Sequence, residues 1–463
     1  MARGHLFNQV LVTSSLIMCT ASDGFIFGQM SGMIDQLQKT DTSIKLTEEE
    51  ISWMASTINI LFIVGITIMS AISDKFGRRK TLTFVNSLIV ISWILVYISY
   101  DKTTFFISRT IIGICFGGVL ILVFICICEY YPPETRALYF TIITGIGSAI
   151  GGMSGHALGV VLNWRIVALI GIIPSAISAF LPFLWEESPA WLASKGKFVE
   201  CEKAYKALHA LNKARENEIR LLVTYEKKKQ SEVKAKAHKG YISKNLVVAI
   251  KQAYFWKISL LGIMIIVFRV ASCRILFSTL AITILRDITG TQNILFFTLF
   301  ADGLPVIGVL LSCVLFIKLK IRKIVFTSGL LANIFFVLFA VSLYLWPEND
   351  YFISWLKVCL LTLHFIIISA GASPALDSVS SEILPVELKP FFNLSLGVFA
   401  GCVQSLAIKS TSAVVAYIGY HGLFLCYAII IFLCLIYFWF FLPETKGRSL
   451  HEIEYFFRHN TFD

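Results

Sequence analysis

Residues 104–136 read TFFISRTIIGICFGGVLILVFICICEYYPPETR, an apolar run of 25 residues that ends in a charged turn. A helix needs about 20 apolar residues to cross a bilayer. The turn, residues 129–136, reads Glu-x-x-Pro-x-x-x-Arg, and residues 382–389 repeat it as Glu-x-x-Pro-x-x-x-Lys. An apolar span whose closing motif recurs in the second half predicts a membrane protein with two similar halves.

The composition of the whole chain agrees with a membrane protein. Of 463 residues, 57% are hydrophobic and 15% are charged, against about 25% charged in an average soluble protein. The mean hydropathy of +0.76 excludes a soluble globular domain, a disordered chain and a collagen. The eleven cysteines form no CxxC pair, so we expect small buried hydrophobes, with no zinc site or other metal and no disulfide framework.

We predict an all-α integral membrane protein with twelve transmembrane helices in two pseudo-symmetric six-helix bundles. Helices are required because lipid offers no hydrogen-bond partner to an open backbone. The predicted spans are 8–30, 51–72, 81–100, 104–128, 137–161, 164–185, 255–285, 291–317, 323–346, 353–380, 391–417 and 421–442. The predicted units are an N-terminal bundle (1–185), a linker (186–254), a C-terminal bundle (255–442) and a tail (443–463).

The distribution of Lys and Arg predicts the orientation. With an even number of spans, one face of the membrane carries thirty of these residues and the other carries six. Because cytoplasmic segments collect Lys and Arg, both termini and the linker are predicted to be cytoplasmic. The basic linker is therefore not interpreted as a nucleic-acid site. Phe198, Cys201, Tyr205, Leu208 and Leu211 recur at helical spacing and predict an amphipathic linker helix against the bundle.

The segment between predicted spans 2 and 3 reads Asp74-Lys-Phe-Gly-Arg-Arg-Lys80. Glycine permits a tight turn, and arginines form paired hydrogen bonds with carboxylates at neighbouring helix ends. We predict a charge network that closes the inner side while the outer side is open; the alternative is a basic membrane anchor. The network comprises Asp74, Gly77, Arg78, Arg79, Glu129, Arg136, Glu187, Arg322, Glu382, Lys389 and Glu444.

These motifs resemble those of the sugar porter family of the major facilitator superfamily. The resemblance rests on residues 74–80, 109–113, 129–136, 187–192 and 443–447, which occur in family order along nearly the whole chain. Residues 46–53 are also similar to insect facilitated trehalose and sugar transporters of this family. The resemblance implies alternating access, a small sugar substrate such as a hexose or trehalose, and the plasma membrane.

The chain departs from the family pattern at the expected sugar site. Span 7 carries Arg269 and Arg274 where the family usually has a glutamine pair and an asparagine, and Asp377 stands at a tryptophan position of span 10. Gln404 fits the polar position of span 11. Residues 318–323 keep the basic pair of the second gate motif but lack its acid and its glycine. The pocket candidates are Gln29, Asn59, Asp377 and Gln404.

Charged groups inside predicted spans are costly and are functional candidates. Asp23 and Arg109 are the candidate proton-coupling pair, with a static brace between spans 1 and 4 as the alternative. Asp377 is expected to pair with Arg269 or Arg274. His156 is expected to be satisfied by helix backbone or a neighbour.

Three functions remain open from the sequence. Facilitative uniport leads, with proton-coupled sugar symport and a non-transporting sugar sensor as alternatives. An enzyme is not expected, because no acid or metal-ligand cluster lies at one membrane interface. No cofactor is expected, and ATP is excluded as a partner because neither GxGxxG in a βαβ context nor GxxxxGK[ST] occurs. The expected partners are a sugar, the lipid bilayer and, for symport, a proton.

Overall fold

The computed structural model describes residues 2–38, 44–131, 133–208, 251–291, 294–347, 350–384 and 389–446, with scattered positions at 216–227 and 453–457. Eleven helices in these ranges are long and apolar enough to cross a membrane. The last one, Leu394–Phe441, contains 48 residues and comprises two crossings. The described residues therefore form the predicted twelve spans.

The first six spans are helices with short connections. Spans 2, 4 and 6 begin at Thr47, Asp101 and Asn163, whose side chains accept hydrogen bonds from the first helical turn. The hydrogen bond from the Thr104 N–H lowers the pKa of Asp101. The helices are Ala2–Leu37, Glu48–Phe76, Arg78–Ile98, Lys102–Tyr130, Pro133–Val161 with a π-helical segment at Ile142–Ile146, and Trp164–Phe180.

Three of the last six spans are interrupted within the described structure. Span 7 breaks at Cys273, which has a φ of 63°, span 8 at Leu304, and span 10 at Gly371. The helices are Ala253–Ala271 with Arg274–Thr289, Leu295–Gly303 with Pro305–Lys318, Ile321–Leu345, Tyr351–Ala370 with Ala372–Glu382, and Lys389–Phe441.

Helix Lys389–Phe441 contains 53 residues and would be about 80 Å long if it were straight. The hydrocarbon core of a bilayer is only about 30 Å thick. Gly419 interrupts the helix with a φ of 71°, a conformation that glycine adopts without steric cost. Spans 11 and 12 are thus joined by a single-residue turn.

Spans 1 and 5 pack backbone against backbone. A Cβ atom added at Gly151 would lie 1.9 Å from the Ala21 carbonyl oxygen, and one added at Gly28 would lie 2.4 Å from the Gly152 oxygen. Small residues permit this close approach of membrane helices. Span 5 has a glycine at every fourth position, and all four glycines face span 1: Gly147, Gly151, Gly155 and Gly159.

The described part of the linker contains the short helices Pro189–Ser194 and Phe198–Leu208. Leu192, Cys201 and Tyr205 are buried in a small cluster of their own. Asn8 at the start of span 1 donates a hydrogen bond to the Ala207 carbonyl at 2.9 Å. The linker helix thus contacts the first-half bundle. Leu211 lies outside the described residues.

Candidate functional site

A cavity of about 410 Å³ lies between the two six-helix halves. Spans 1, 2, 4 and 5 line one side, and spans 7, 8, 10 and 11 line the other. This volume falls within the 300–1,000 Å³ range of small-molecule sites. The cavity is therefore large enough for a small polar solute and is reached by both halves.

Three of the four predicted pocket residues line this cavity: Asn59, Asp377 and Gln404. The Asn59 amide nitrogen is buried and has no hydrogen-bond partner within the described ranges. Gln29 does not line the cavity. Its Oε1 instead accepts a hydrogen bond from Arg109 at 3.2 Å, and the side chain is buried.

The second half carries both arginines of span 7 on the cavity wall. Arg269 lies 3.3 Å from the Asp377 carboxylate, which is one of the two pairings that the sequence allowed. Arg274 donates a hydrogen bond to the Ser369 hydroxyl at 3.0 Å. The two arginines therefore have different partners, an acid for Arg269 and a neutral hydroxyl for Arg274.

The structure does not bring Asp23 and Arg109 together. Arg109 is fully buried between the Trp93 and Phe105 rings and reaches Gln29. Gln29 lies six residues beyond Asp23, or about 9 Å along a helix. Asp23 lines the cavity instead, and its buried Oδ1 has no hydrogen-bond partner in the described structure.

His156 of span 5 links the two halves. Its Nδ1 lies 2.5 Å from the Asp302 carboxylate of span 8, and its Nε2 lies 2.7 Å from the Ser278 carbonyl of span 7. The expectation that a backbone group or neighbour satisfies His156 agrees with these contacts. The sequence did not identify Asp302 as the partner, because nothing in the spacing relates residues 146 positions apart.

The two ends of the bundle differ in their contacts. We call the end with the linker the linker end and the opposite one the far end. At the far end, Asp35 of span 1 forms an ion pair with Arg286 of span 7, and Ser31 accepts a hydrogen bond from the Ile282 N–H at 2.8 Å. Ser56 and Ser405 connect spans 2 and 11 by side-chain to backbone hydrogen bonds.

At the linker end, Arg78 organises a charge cluster within the first half. Its guanidinium donates to both oxygens of Glu129 at 2.8 and 2.9 Å and to Asp74 at 2.9 Å. Glu187 accepts from the Arg78 N–H at 3.0 Å. Gly77 has a φ of 102°, and an added Cβ would lie 2.4 Å from the Glu187 carboxylate, so this turn requires glycine.

The other first-half residues of the predicted network bind backbone groups. Arg79 donates to the Trp185 carbonyl at 2.5 Å, and Arg136 donates to the Cys128 carbonyl at 3.0 Å. Among the first-half residues of the predicted network, Arg78 thus binds the carboxylates of Asp74 and Glu129. The guanidinium groups of Arg79 and Arg136 bind backbone carbonyls instead.

In the described part of the second half, the corresponding cluster of Arg322, Glu382 and Glu444 is held by hydrogen bonds to backbone groups and hydroxyls. Glu444 accepts from the Ile321 and Arg322 N–H groups at 3.0 and 3.1 Å, while the Arg322 guanidinium donates to the Trp439 carbonyl. Burial raises the pKa of Glu382, which accepts a hydrogen bond from Ser378. Lys389 begins span 11, and its side chain lies outside the described part of the structure.

Comparison with protein families gives an almost complete match. The family model described as "Sugar (and other) transporter" matches residues 9–457. The chain belongs to the sugar (and other) transporter family.

Curated relatives of this transporter chain share its full length at low identity. The facilitated trehalose transporter Tret1 of Polypedilum vanderplanki is 24% identical over 462 residues, covering 97% of this chain and 88% of that protein. The sugar transporter ERD6-like 6 of Arabidopsis thaliana is 25% identical over 470 residues, covering 97% and 92%.

Solved structures show the same fold for this transporter chain. The proton:xylose symporter XylE of the major facilitator superfamily, bound to 6-bromo-6-deoxy-D-glucose, matches with a TM-score of 0.77 at 17% identity, covering 98% of this chain and 100% of that one. The inward-open conformation of XylE from E. coli matches with a TM-score of 0.72 at 16% identity, covering 96% and 98%. The fold is therefore that of the major facilitator superfamily, as predicted.

Proposed function

We propose that this protein carries a sugar of hexose or disaccharide size, trehalose among the candidates, across the plasma membrane by facilitative uniport. The supporting observation is the cavity between the two halves, where Asn59 and Gln404 supply amide groups. Amide and hydroxyl groups bind sugar hydroxyls by hydrogen bonds. The names of the relatives favour the same substrate class.

We further propose that the linker end is cytoplasmic and that the units 1–185, 186–254, 255–442 and 443–463 act as bundle, linker, bundle and tail. Lys and Arg concentrate at the linker end, which favours this orientation. The far-end contacts Asp35–Arg286 and Ser56–Ser405 would then hold the outer side closed in this state. The Arg78 cluster has its contacts within the first half and is already formed in this state, so it would supply the first-half surface that meets the second half when the inner side closes.

The test is uptake of labelled trehalose, glucose and charged sugars into liposomes that contain the purified protein. We expect saturable uptake of at least one carbohydrate and counterflow of the label against preloaded unlabelled sugar. Binding without counterflow would contradict transport and identify a sensor. No saturable uptake or binding of any carbohydrate would contradict the proposal entirely.

Proton symport is the second candidate function, because Asp23 lines the cavity and its buried Oδ1 has no hydrogen-bond partner among the residues described. Its separation from Arg109 favours uniport. We expect that lowering the external pH by one unit changes the initial rate of sugar uptake by less than about twofold, because no ion pair links Asp23 to Arg109. We expect Asp23→Asn to keep the same weak dependence. Stimulation by external acid that disappears in Asp23→Asn would instead establish coupling.

A further inference from the structure

The charges that line the cavity do not all have partners. Five ionisable side chains line it in the described structure: Asp23, Arg269, Arg274, Asp302 and Asp377. Asp377 contacts Arg269 at 3.3 Å, and Asp302 contacts His156 at 2.5 Å. Arg274 has no carboxylate within salt-bridge distance among the residues described, and neither has Asp23 an arginine or lysine.

Arg274 is held in place by a neutral group. Its Nη1 donates to the Ser369 hydroxyl at 3.0 Å, and the half-buried side chain lies on the cavity wall. A guanidinium carries five N–H donors, so most of its hydrogen-bonding capacity is left for a ligand. Asp302 acts on Arg274 electrostatically from beyond salt-bridge distance but is bound to His156, so the guanidinium has no acid in direct contact among the residues described. A cation in a membrane cavity is costly without a directly paired counter-charge.

The backbone adds to this positive charge. Arg274 is the first residue of the helix Arg274–Thr289, and Cys273 before it supplies no side-chain cap. The first helical hydrogen bond runs from Phe277 to the Cys273 carbonyl. The N–H groups of the first turn therefore lack helical partners and carry the positive end of the helix dipole. Broken membrane helices bind anionic groups of substrates at such ends.

The remaining polar wall suits hydroxyl groups. The buried Asn59 Nδ2 has no partner in the described ranges, and Gln404 lines the same cavity from the second half. Asp23 supplies a carboxylate oxygen that accepts hydrogen bonds from hydroxyls. Arg274 thus offers a site for an anion beside several sites for a polyol.

We propose that the preferred substrate is a carbohydrate with one carboxylate, which Arg274 binds while Asn59, Gln404 and Asp23 bind the hydroxyls. This proposal rests on the proposed carbohydrate transport. A carboxylate matches the planar guanidinium in two parallel hydrogen bonds. A phosphate dianion fits less well, because Asp377 already compensates Arg269 and Asp23 adds a negative charge.

The first test uses the unchanged protein. Thermal stabilisation and uptake are measured with glucuronate, glucose and glucose 6-phosphate. We expect glucuronate to bind at least about tenfold more tightly than glucose, the usual effect of a charged hydrogen bond. Its uptake should also be faster at an inside-positive membrane potential, because each cycle moves one negative charge, whereas glucose uptake should not respond.

Arg274→Gln is the matching variant, because it removes the charge and keeps an amide for hydroxyls. We expect its preference for glucuronate over glucose to fall at least about tenfold. Arg165→Gln is the control, since Arg165 lies at the far end and donates to the Tyr97 carbonyl; it should keep the preference. If Arg274→Gln does not fold, Ser369→Ala should still lower the preference by about threefold.

The outcomes separate the two proposals. If glucose is transported as efficiently as glucuronate, or if glucose 6-phosphate is preferred, the carboxylate assignment is overturned and the proposal of carbohydrate transport stays intact. Preference for glucuronate that persists in Arg274→Gln would overturn the role of Arg274. Failure to bind or carry any of the three sugars, and trehalose as well, would overturn both proposals.

Discussion

Replacing Gly151 with alanine is expected to destabilise the folded protein strongly. The new Cβ would lie 1.9 Å from the Ala21 carbonyl oxygen and 2.8 Å from the Phe25 nitrogen, both backbone atoms of span 1. Backbone cannot rotate away as a side chain does, so the two helices must separate. We expect a loss of at least about 3 kcal/mol, the upper end for overpacked cores. The measurement is thermal unfolding of the detergent-solubilised protein, with expression yield as a second readout.

Gly152→Ala is the matched control for this prediction. The two glycines are neighbours in the same helix, but the nearest atom to an added Cβ at Gly152 is 3.8 Å away. Alanine there should be neutral or should stabilise by about 0.5 kcal/mol, because it reduces the freedom of the unfolded chain. Equal stability of the Gly151→Ala and Gly152→Ala proteins would show that spans 1 and 5 do not pack as described.

Arg78→Ala is expected to reduce transport at least about tenfold while the protein still inserts in the membrane. Arg78 is 8% exposed and bonds both oxygens of Glu129, so its removal leaves a partly buried carboxylate without its partner. Breaking such a pair costs on the order of 3 kcal/mol. Initial uptake rates per inserted molecule measure the effect.

Lys80→Ala tests whether charge alone explains the result. Lys80 belongs to the same basic segment but is exposed, so a simple membrane anchor would make the two changes equivalent. We expect uptake by Lys80→Ala to stay within about twofold of the unchanged protein, as for most exposed charges. Normal transport by Arg78→Ala would refute the gate interpretation.

The sequence predicts the helices well because lipid requires long apolar segments. It places the boundary between spans 11 and 12 at 418–420, where Gly419 forms the turn. It does not predict the break of span 7 at Cys273, since cysteine has no preference for a positive φ. The breaks at Leu304 and Gly371 have clearer signals, the following Pro305 and the glycine itself.

The candidate site is only partly visible in the sequence. The charges predict that Asp377 pairs with Arg269 or Arg274, because an isolated charge in lipid is unfavourable. The structure shows the contact with Arg269, a choice that the sequence leaves open. The prediction that Gln29 lines the pocket is wrong, since its side chain contacts Arg109. Neighbouring residues of one helix lie on different faces, and the sequence alone does not show which face meets the cavity.

The sequence analysis does not predict the contacts at the far end. Asp35 and Arg286 lie at the ends of their helices, where charge is ordinary, so neither residue stands out as an intramembrane group. A signal does exist, since opposite charges end spans 1 and 7, the first spans of the two halves. Pseudo-symmetry places these two helix ends next to each other, which pairwise sequence spacing does not reveal.

The single-residue turn at Gly419 ties the movement of several helices together. Just beyond it, the Tyr420 hydroxyl donates to Asp287 of span 7 at 2.7 Å, while Ser405 before it contacts span 2 of the other half. Because the connection is only one residue long, a tilt of span 11 should move spans 7 and 12 at the same time. We therefore expect the far end of the cavity to open by a concerted movement of spans 7, 11 and 12.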